Sequence, residues 1–98
     1  MDLRKLARGK PCQIRIPTVC NHNRETTVLA HYRLAGYSGT GQKPDDWSFG
    51  AWACSACHDA VDGRVKTDHD QMAIRLMHAE GCMRTQAELR KMKQRGEI

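Results

Sequence analysis

The stretch Cys54–Asp62 holds the residues best suited to chemistry, because a Cys-x2-Cys pair runs directly into a histidine and two aspartates. Two thiolates separated by two residues can bind the same metal ion. His58 and Asp62 are four residues apart, so on a helix they project from one face and can bind a second ion. The spacing therefore predicts two metal sites, one that supports the fold and one that does chemistry.

Two cysteines far upstream complete a set of four thiolates for the first site. Cys12 and Cys20 are separated by seven residues, which is more than the usual spacing within a zinc knuckle. Together with Cys54 and Cys57 they predict a closed tetrahedral zinc site of the structural kind. Two alternatives stay open: His22 replaces Cys20, or Cys12 and Cys20 are small buried apolar residues.

A second set of residues predicts a hydrolytic centre. His31 ends the first predicted strand, and His58 and Asp62 follow the cysteine pair. A neutral histidine can take a proton from water, and a hard divalent ion needs few protein ligands. We therefore predict His31 as the general base and His58 with Asp62 as the ligands of Mg²⁺ or another divalent cation. His58 as a further zinc ligand is an alternative.

Composition and length limit the class of protein. A chain of 98 residues with two Trp, two Tyr and one Phe buries a modest core, so a bound ion would help to stabilise it. The charged N-terminal segment lacks the apolar region of a signal peptide, and no apolar run is long enough to cross a membrane. These features predict one domain, 1–98, in a reducing cytoplasm, where spaced cysteines bind metal more often than they form disulfides.

The net charge of +5 is concentrated towards the two ends of the chain. Residues 1–24 hold six basic side chains and one acidic, and residues 84–98 hold five basic and two acidic. Such basic surfaces bind nucleic acid by neutralising phosphates, although a merely solvated charged surface is the alternative. No base-reading motif is present, so we predict DNA binding through phosphate and shape. The predicted DNA-contacting residues are Arg4, Lys5, Arg8, Lys10, Arg33, Lys43 and Arg64.

The elements predicted to position the candidate residues of the first half of the chain are short. A basic helix or arm is predicted over residues 1–10, ended by glycine and proline. Thr26–Tyr32 and Phe49–Ala53 are rich in β-branched and apolar residues and predict two strands. A turn-rich loop at 36–48 separates them, so the pattern predicts an antiparallel hairpin with a long tip.

Helices are predicted for the rest of the chain. Ser55 is expected to cap a helix over 56–62, and Thr67 with Asp70 resembles a capping box. Asp68–Asp70 is accordingly interpreted as a helix cap rather than a metal cluster. A C-terminal helical segment over 67–95 has its apolar face predicted at Met72, Leu76, Ala79 and Met83, with a weaker continuation through Leu89 and Met92. The same segment contains Gly81, expected to bend or break the helix, and Cys82 and His78, expected to be packing or surface residues.

Four separated segments resemble a known family: Ala7–Cys20, Leu29–Arg33, Gly39–Asp45 and Ala53–Asp62. They are similar to the YbcO-like nucleases of phages and prophages, and the strand histidine before a Cys-x2-Cys-His segment resembles the wider HNH, or ββα-metal, endonucleases. The resemblance implies a small zinc-stapled α+β domain of the ββα-metal type that acts in phage DNA metabolism. It also implies that His31 takes the general-base position and His58 the metal-ligand position.

Two positions depart from the HNH pattern. Ala30 stands where Asp or His usually precedes the base, and no Asn follows Asn23. We interpret the chain as a metal-dependent DNA endonuclease of phage or prophage recombination in the bacterial cytoplasm. The departures favour the alternative of a non-catalytic zinc module that binds DNA or a protein. A homodimer, a phage recombination partner and an adaptor role for the helix around Met72–Met92 also stay open. The candidates for the missing Asn are Asp45, Asp46 and Ser48.

Overall fold

A computed structural model describes residues 2–39, 41 and 44–98. The described chain is a small α+β arrangement of short helices, one two-stranded antiparallel sheet and one long C-terminal helix. In chain order the elements are α1 (Leu3–Leu6), a 3-10 helix (Arg24–Thr26), β1 (Val28–His31), α2 (Asp46–Phe49), β2 (Gly50–Ala53), α3 (Ser55–Val61) and α4 (Gln71–Gln94). None of the helices in these described ranges has the length and apolar character needed to cross a membrane.

The predicted hairpin is confirmed, with shorter strands than expected. β1 and β2 pair antiparallel so that His31 lies opposite Gly50. The prediction that the strands begin at Thr26 and Phe49 is wrong. Thr26 ends a 3-10 helix, and Phe49 ends α2, whose first turn Asp45 caps by accepting the Trp47 N–H at 3.1 Å. α2 therefore takes up the end of the predicted loop and the first residue of the second predicted strand.

Two apolar cores lie against the two faces of the sheet, because side chains alternate along a strand. Ala30, Ala51 and Ala53 face a core that also contains the buried cysteines of the N-terminal loop and α3. Leu29 and Trp52 face the second core. The remaining buried members of that second core, from α1, the residue after it and α4, are Leu3, Ala7, Leu89 and Met92.

The free edge of β2 is covered rather than exposed. The Trp52 N–H donates to the Thr85 hydroxyl oxygen at 3.0 Å, and the Trp52 carbonyl accepts the Gln13 N–H at 2.7 Å. Thr85 in turn donates to the Gly81 carbonyl of α4 at 2.8 Å. Because an uncovered strand edge would leave backbone groups unpaired, these bonds fix α4 and the N-terminal loop against the sheet.

The C-terminal helix is confirmed, as is the burial of Leu89 and Met92, but the first half of its predicted buried face is wrong. Met72, Leu76 and Met83 are 78%, 60% and 60% exposed. The helix packs instead through a face that combines apolar and small or polar side chains: Ile74, His78, Gly81, Cys82, Thr85, Leu89 and Met92. A hydrophobicity pattern does not score histidine, glycine or threonine as buried, so it selected the opposite side of the helix.

Gly81 does not break α4, contrary to the prediction. A Cβ atom at this position would lie 2.8 Å from Ile14 Cγ1 and 3.2 Å from Ile14 Cα. The absence of a side chain therefore lets the N-terminal loop approach the helix closely. The glycine serves packing between α4 and the loop that carries the first cysteine.

Two capping predictions are corrected. Cys54, not Ser55, is the N-cap of α3, and its Sγ accepts the Cys57 N–H at 3.4 Å. Asp70 caps α4 by accepting the Ala73 N–H at 2.7 Å, so the helix begins at Gln71 and not at Thr67. The interpretation of Asp70 as a helix cap is thereby confirmed.

Candidate metal centre and catalytic cleft

Four cysteines from two distant parts of the chain meet at the start of α3. The Sγ atoms of Cys12, Cys20, Cys54 and Cys57 all lie within 4.8 Å of one another, and those of Cys20 and Cys54 are 3.7 Å apart. A tetrahedral zinc with Zn–S bonds of about 2.3 Å requires sulfurs about 3.8 Å apart. No disulfide links them. The donor types and their spacing therefore fit one zinc ion.

The loop that carries the first two cysteines contains three residues in an energetically unfavourable backbone conformation. Arg15, Thr18 and His22 have φ of 55°, 67° and 54°, in the left-handed region that non-glycine residues seldom adopt. The Arg15 N–H points at Cys12 Sγ, 3.5 Å away. Residues are held in such conformations where the surrounding structure over-determines them, and a shared ion bound by Cys12 and Cys20 would do this.

The protonation of the sulfurs indicates what a cation would change. The hydrogen bond from the Cys57 thiol lowers the pKa of Cys12 to about 4, and the same bond raises the pKa of Cys57. Burial raises the pKa of Cys20 to about 11. Without a positive charge the cluster keeps protons on some of its sulfurs. Metal binding releases such protons because the ligand is the thiolate.

His22 and Cys82 lie near the four cysteines but do not belong to the cluster. His22 Nδ1 lies 3.7 Å from Cys20 Sγ on an exposed side chain, so His22 stands beside Cys20 rather than in its place. Cys82 is buried in the adjoining core, and burial raises its pKa to about 12. Within the described ranges, the four cysteines are the one group of three or more such side chains close enough to share an ion.

His31 has a carboxylate partner that the strand pattern could not show. It lies at the end of β1, and its Nε2 is 2.6 Å from Asp46 Oδ1 in the first turn of α2. A carboxylate acceptor fixes the hydrogen on Nε2 and leaves Nδ1 free to accept a proton. Arg4 Nε lies 3.7 Å from the other oxygen of Asp46. Asp46 was only one of three candidates for the missing Asn, because the path of the intervening loop decides which side chain returns to His31.

His58 and Asp62 form the predicted i, i+4 pair, with His58 Nε2 3.1 Å from Asp62 Oδ2. The same carboxylate oxygen is 3.3 Å from Arg64 Nη2, while Arg64 Nη1 reaches Asp59 at 3.3 Å. Asp62 thus already has two partners. A divalent ion at this pair would replace the Arg64 or His58 contact, and water would complete its coordination.

The predicted general base and one predicted metal ligand line the same cleft, which has a volume of about 390 Å³. His31 and Asp62 both line it, whereas His58 does not line it and reaches it through Asp62. The other polar lining residues are Arg33, Arg64, Gln71, Arg75 and His78. Three arginines around one cleft form a site for anionic groups such as phosphates. Arg75 and His78 were not predicted to belong to it.

The comparison with known proteins decides the family. The sequence model of the family described as "Putative nuclease YbcO" matches residues 1–94. The chain belongs to the YbcO family. The resemblance inferred from the four sequence segments is therefore confirmed at the level of this family. The match does not extend to the wider HNH superfamily.

The similar proteins come from a bacterium and a phage. The YbcO proteins of Escherichia coli (strain K12) and Enterobacteria phage 82, both named "Putative nuclease", are each 64% identical over 64 residues, covering 65% of this chain and 66% of the relative. The alignment thus spans just under two thirds of these relatives. A solved structure described as a "putative bacteriophage protein" from E. coli K-12 superposes with a TM-score of 0.74 at 43% identity, covering 97% of this chain and 100% of that one.

The predicted DNA-contacting residues of this YbcO-family chain fall into three groups. Arg33 and Arg64 line the cleft, and Arg4 pairs with Asp46, the partner of His31, at 3.7 Å. Lys10 lies over the Trp52 ring, with Nζ 5.9 Å from its centroid. Lys5 and Arg8 are exposed, and Lys43 lies outside the described residues.

Proposed function

We propose that this YbcO-family protein is a metal-dependent DNA endonuclease of the HNH type, acting on phage or prophage DNA during recombination in the bacterial cytoplasm. The observation that carries the proposal is the His31–Asp46 pair at 2.6 Å on a cleft lined by three arginines and Asp62. This arrangement joins a proton acceptor, an anion site and a candidate metal ligand. The β1–β2–α3 order is also that of a ββα-metal domain.

The chain's own residues account for the proton and phosphate chemistry. Asp46 holds the His31 ring so that Nδ1 accepts a proton from the attacking water, and its charge stabilises the imidazolium that results. The guanidinium groups of Arg33, Arg64 and Arg75 bind phosphate oxygens and orient the scissile phosphodiester. His58 and Asp62 are the residues that would hold a divalent ion. Such an ion would supply positive charge to polarise the phosphate and stabilise the leaving oxygen.

Zinc at the four cysteines has a separate, structural role in this proposal. The four sulfurs are all supplied by the chain and three of the four cysteines are buried, so the site leaves no open position for substrate. Closed four-thiolate sites of this kind stabilise folds. The proposed zinc connects the N-terminal loop to α3 and thereby fixes the helix that bears His58 and Asp62.

A nuclease assay of the zinc-loaded protein tests the function. We expect cleavage of linear, branched or single-stranded DNA that requires added Mg²⁺ or Mn²⁺, measured by gel electrophoresis. Zinc content is determined in parallel, so that loss of activity without the added ion is not confused with loss of zinc. Binding without cleavage under every ion and substrate would contradict the enzyme.

A non-catalytic zinc module that binds DNA is the second candidate, and one observation favours it. Asp62 is engaged by both His58 and Arg64, so the second metal site is not preassembled as the cysteine site is. This candidate predicts DNA binding that is unaffected by Mg²⁺ and by loss of the His31 imidazole.

DNA affinity is expected to depend on the cleft arginines and on salt. If phosphate contacts dominate, the logarithm of the affinity falls linearly with the logarithm of salt concentration. Arg33→Gln removes one contact and should reduce the slope by about 1. Arg90→Gln makes the same change of charge about 18 Å further along α4 than His78 and should leave the slope nearly unchanged. Fluorescence anisotropy over a salt series measures both; equal slopes for the two variants would reject the cleft as the phosphate site.

A further inference from the structure

His78 of α4 binds the residues on both sides of His31. Its Nε2 lies 3.1 Å from the Ala30 carbonyl oxygen, and its ring meets the Tyr32 ring edge-on, with centroids 5.2 Å apart and planes at 75°. Since a carbonyl oxygen can only accept, His78 Nε2 must carry the hydrogen. Burial lowers the pKa of His78, so the ring stays neutral at pH 7 and this bond has a single tautomer.

Arg75, one turn earlier on α4, holds the chain just beyond His31. Its Nη2 donates to the Arg33 carbonyl at 2.9 Å, and its Cζ lies 4.6 Å from the centre of the Tyr32 ring. Tyr32 is therefore in contact with both Arg75 and His78. The backbone is fixed at Ala30 and at Arg33, with His31 between the two fixed points.

These contacts of Arg75 and His78 form a clamp at the end of strand β1. His31 is the last residue of a four-residue strand that has a single partner strand, and strand ends open more readily than strand centres. Beyond β1, the Tyr32 N–H donates to the Phe49 carbonyl at 2.7 Å. A catalytic group must be held to within about 0.5 Å of its productive position, which a strand end of this kind does not guarantee alone.

We propose that His78 and Arg75 are positioning residues for His31: α4 clamps the end of β1 so that the His31 ring remains on Asp46 and faces the cleft. The inference rests on the proposed function, in which His31 is the base. It assigns α4 a role in the site that the cysteine and histidine motifs do not include. Both clamp residues also line the cleft, so the substrate is bound beside the element that orients the base.

Substitutions of His78 test the clamp, because those of Arg75 would also change phosphate binding. His78→Phe keeps the ring against Tyr32 but loses the N–H donor to Ala30. His78→Gln keeps an N–H at a similar reach. We expect His78→Phe to lower kcat by about 10- to 100-fold with KM within about twofold, and His78→Gln to recover most of the loss. Met72→Ala, at a position 78% exposed on the same helix, should behave as the wild type.

A second measurement separates the clamp from the enzyme. The ring signals of His31 in NMR spectra report its mobility without any turnover, and zinc content reports the fold. Shifted or broadened His31 signals in His78→Phe, with zinc unchanged, would support the clamp even if the wild type cleaves no DNA. Wild-type kcat together with wild-type His31 signals in His78→Phe would overturn the clamp while leaving the proposed nuclease intact.

Discussion

Replacing Cys54 with serine is expected to unfold the protein. Cys54 is fully buried, and its sulfur lies 3.7 Å from that of Cys20. Structural zinc sites contribute an apparent 10–16 kcal/mol, roughly, in zinc-finger peptides, whereas a whole domain is stable by about 5–15 kcal/mol. When loss of one thiolate abolishes zinc binding, the binding free energy that is lost therefore exceeds the stability that the rest of the fold supplies. Serine is itself a favourable N-cap, so the capping of α3 is kept and the loss reports on the metal.

Zinc content and unfolding measure this result. We expect about one zinc per chain in the wild type by elemental analysis, and none in Cys54→Ser, which should lack a cooperative thermal transition by circular dichroism. Cys82→Ala is the matched control: Cys82 is also buried but lies outside the cluster, so its zinc content should be unchanged. A metal-free wild type that melts at the same temperature as the zinc-loaded protein would refute the structural role.

The cysteine cluster was predictable because its signal is partly local. Cys54 and Cys57 lie one helical turn apart, so their convergence on one ion needs only the start of α3. The other half required that a loop with three left-handed residues return to the same point. The approach of that loop to α3 depends on tertiary structure, and in the sequence only the fact that residues 12 and 20 are cysteines suggested it. His22, which is itself left-handed and follows Cys20 by two residues, carried the same residue-type signal but lies only beside the cluster.

The residues that contact His31 and its two neighbours in the chain could not be predicted in the same way. Asp46 reaches it across 15 positions of chain, and His78 lies 47 positions away on α4. The hydrophobic pattern of α4 also selected Met72 and Leu76 for the core, which placed His78 at the surface or in unspecified packing. Burial of a neutral histidine against a carbonyl and an aromatic ring satisfies its polar atoms, and a pattern based on apolar residues does not register this arrangement.

The family resemblance and the residue chemistry support different parts of the conclusion. The match over residues 1–94 shows the YbcO family and supports the nuclease proposal through the names of the relatives. The roles of individual side chains depend on geometry instead. Ala30 departs from the HNH pattern as a side chain, yet its carbonyl is where His78 attaches α4 to the strand. The position is thus used through its backbone.

Replacing His31 with alanine is expected to lower the rate of DNA cleavage by about 10²- to 10⁴-fold, the usual contribution of a positioned general base. The ring is partly buried, with 22% of its side chain exposed, and it bonds to Asp46 at 2.6 Å. Asp46→Asn should give a loss of up to about 10⁴-fold, because an amide preserves the shape but no longer stabilises the imidazolium, and its N–H can donate to Nε2 and so move the ring hydrogen to Nδ1. Neither residue belongs to the cysteine cluster, so zinc content and thermal stability should remain close to those of the wild type.

His69→Ala is the matched control for the loss of an imidazole. His69 Nε2 bonds to the Pro17 carbonyl at 2.8 Å, and His69 does not line the cleft that holds His31. Single-turnover cleavage with saturating Mg²⁺ compares the chemical step among the three variants without product release. Because His31 and Asp46 act as a unit, the double variant should lose no more than His31→Ala alone. Multiplicative losses, or full activity in His31→Ala, would show that His31 is not the base that Asp46 orients.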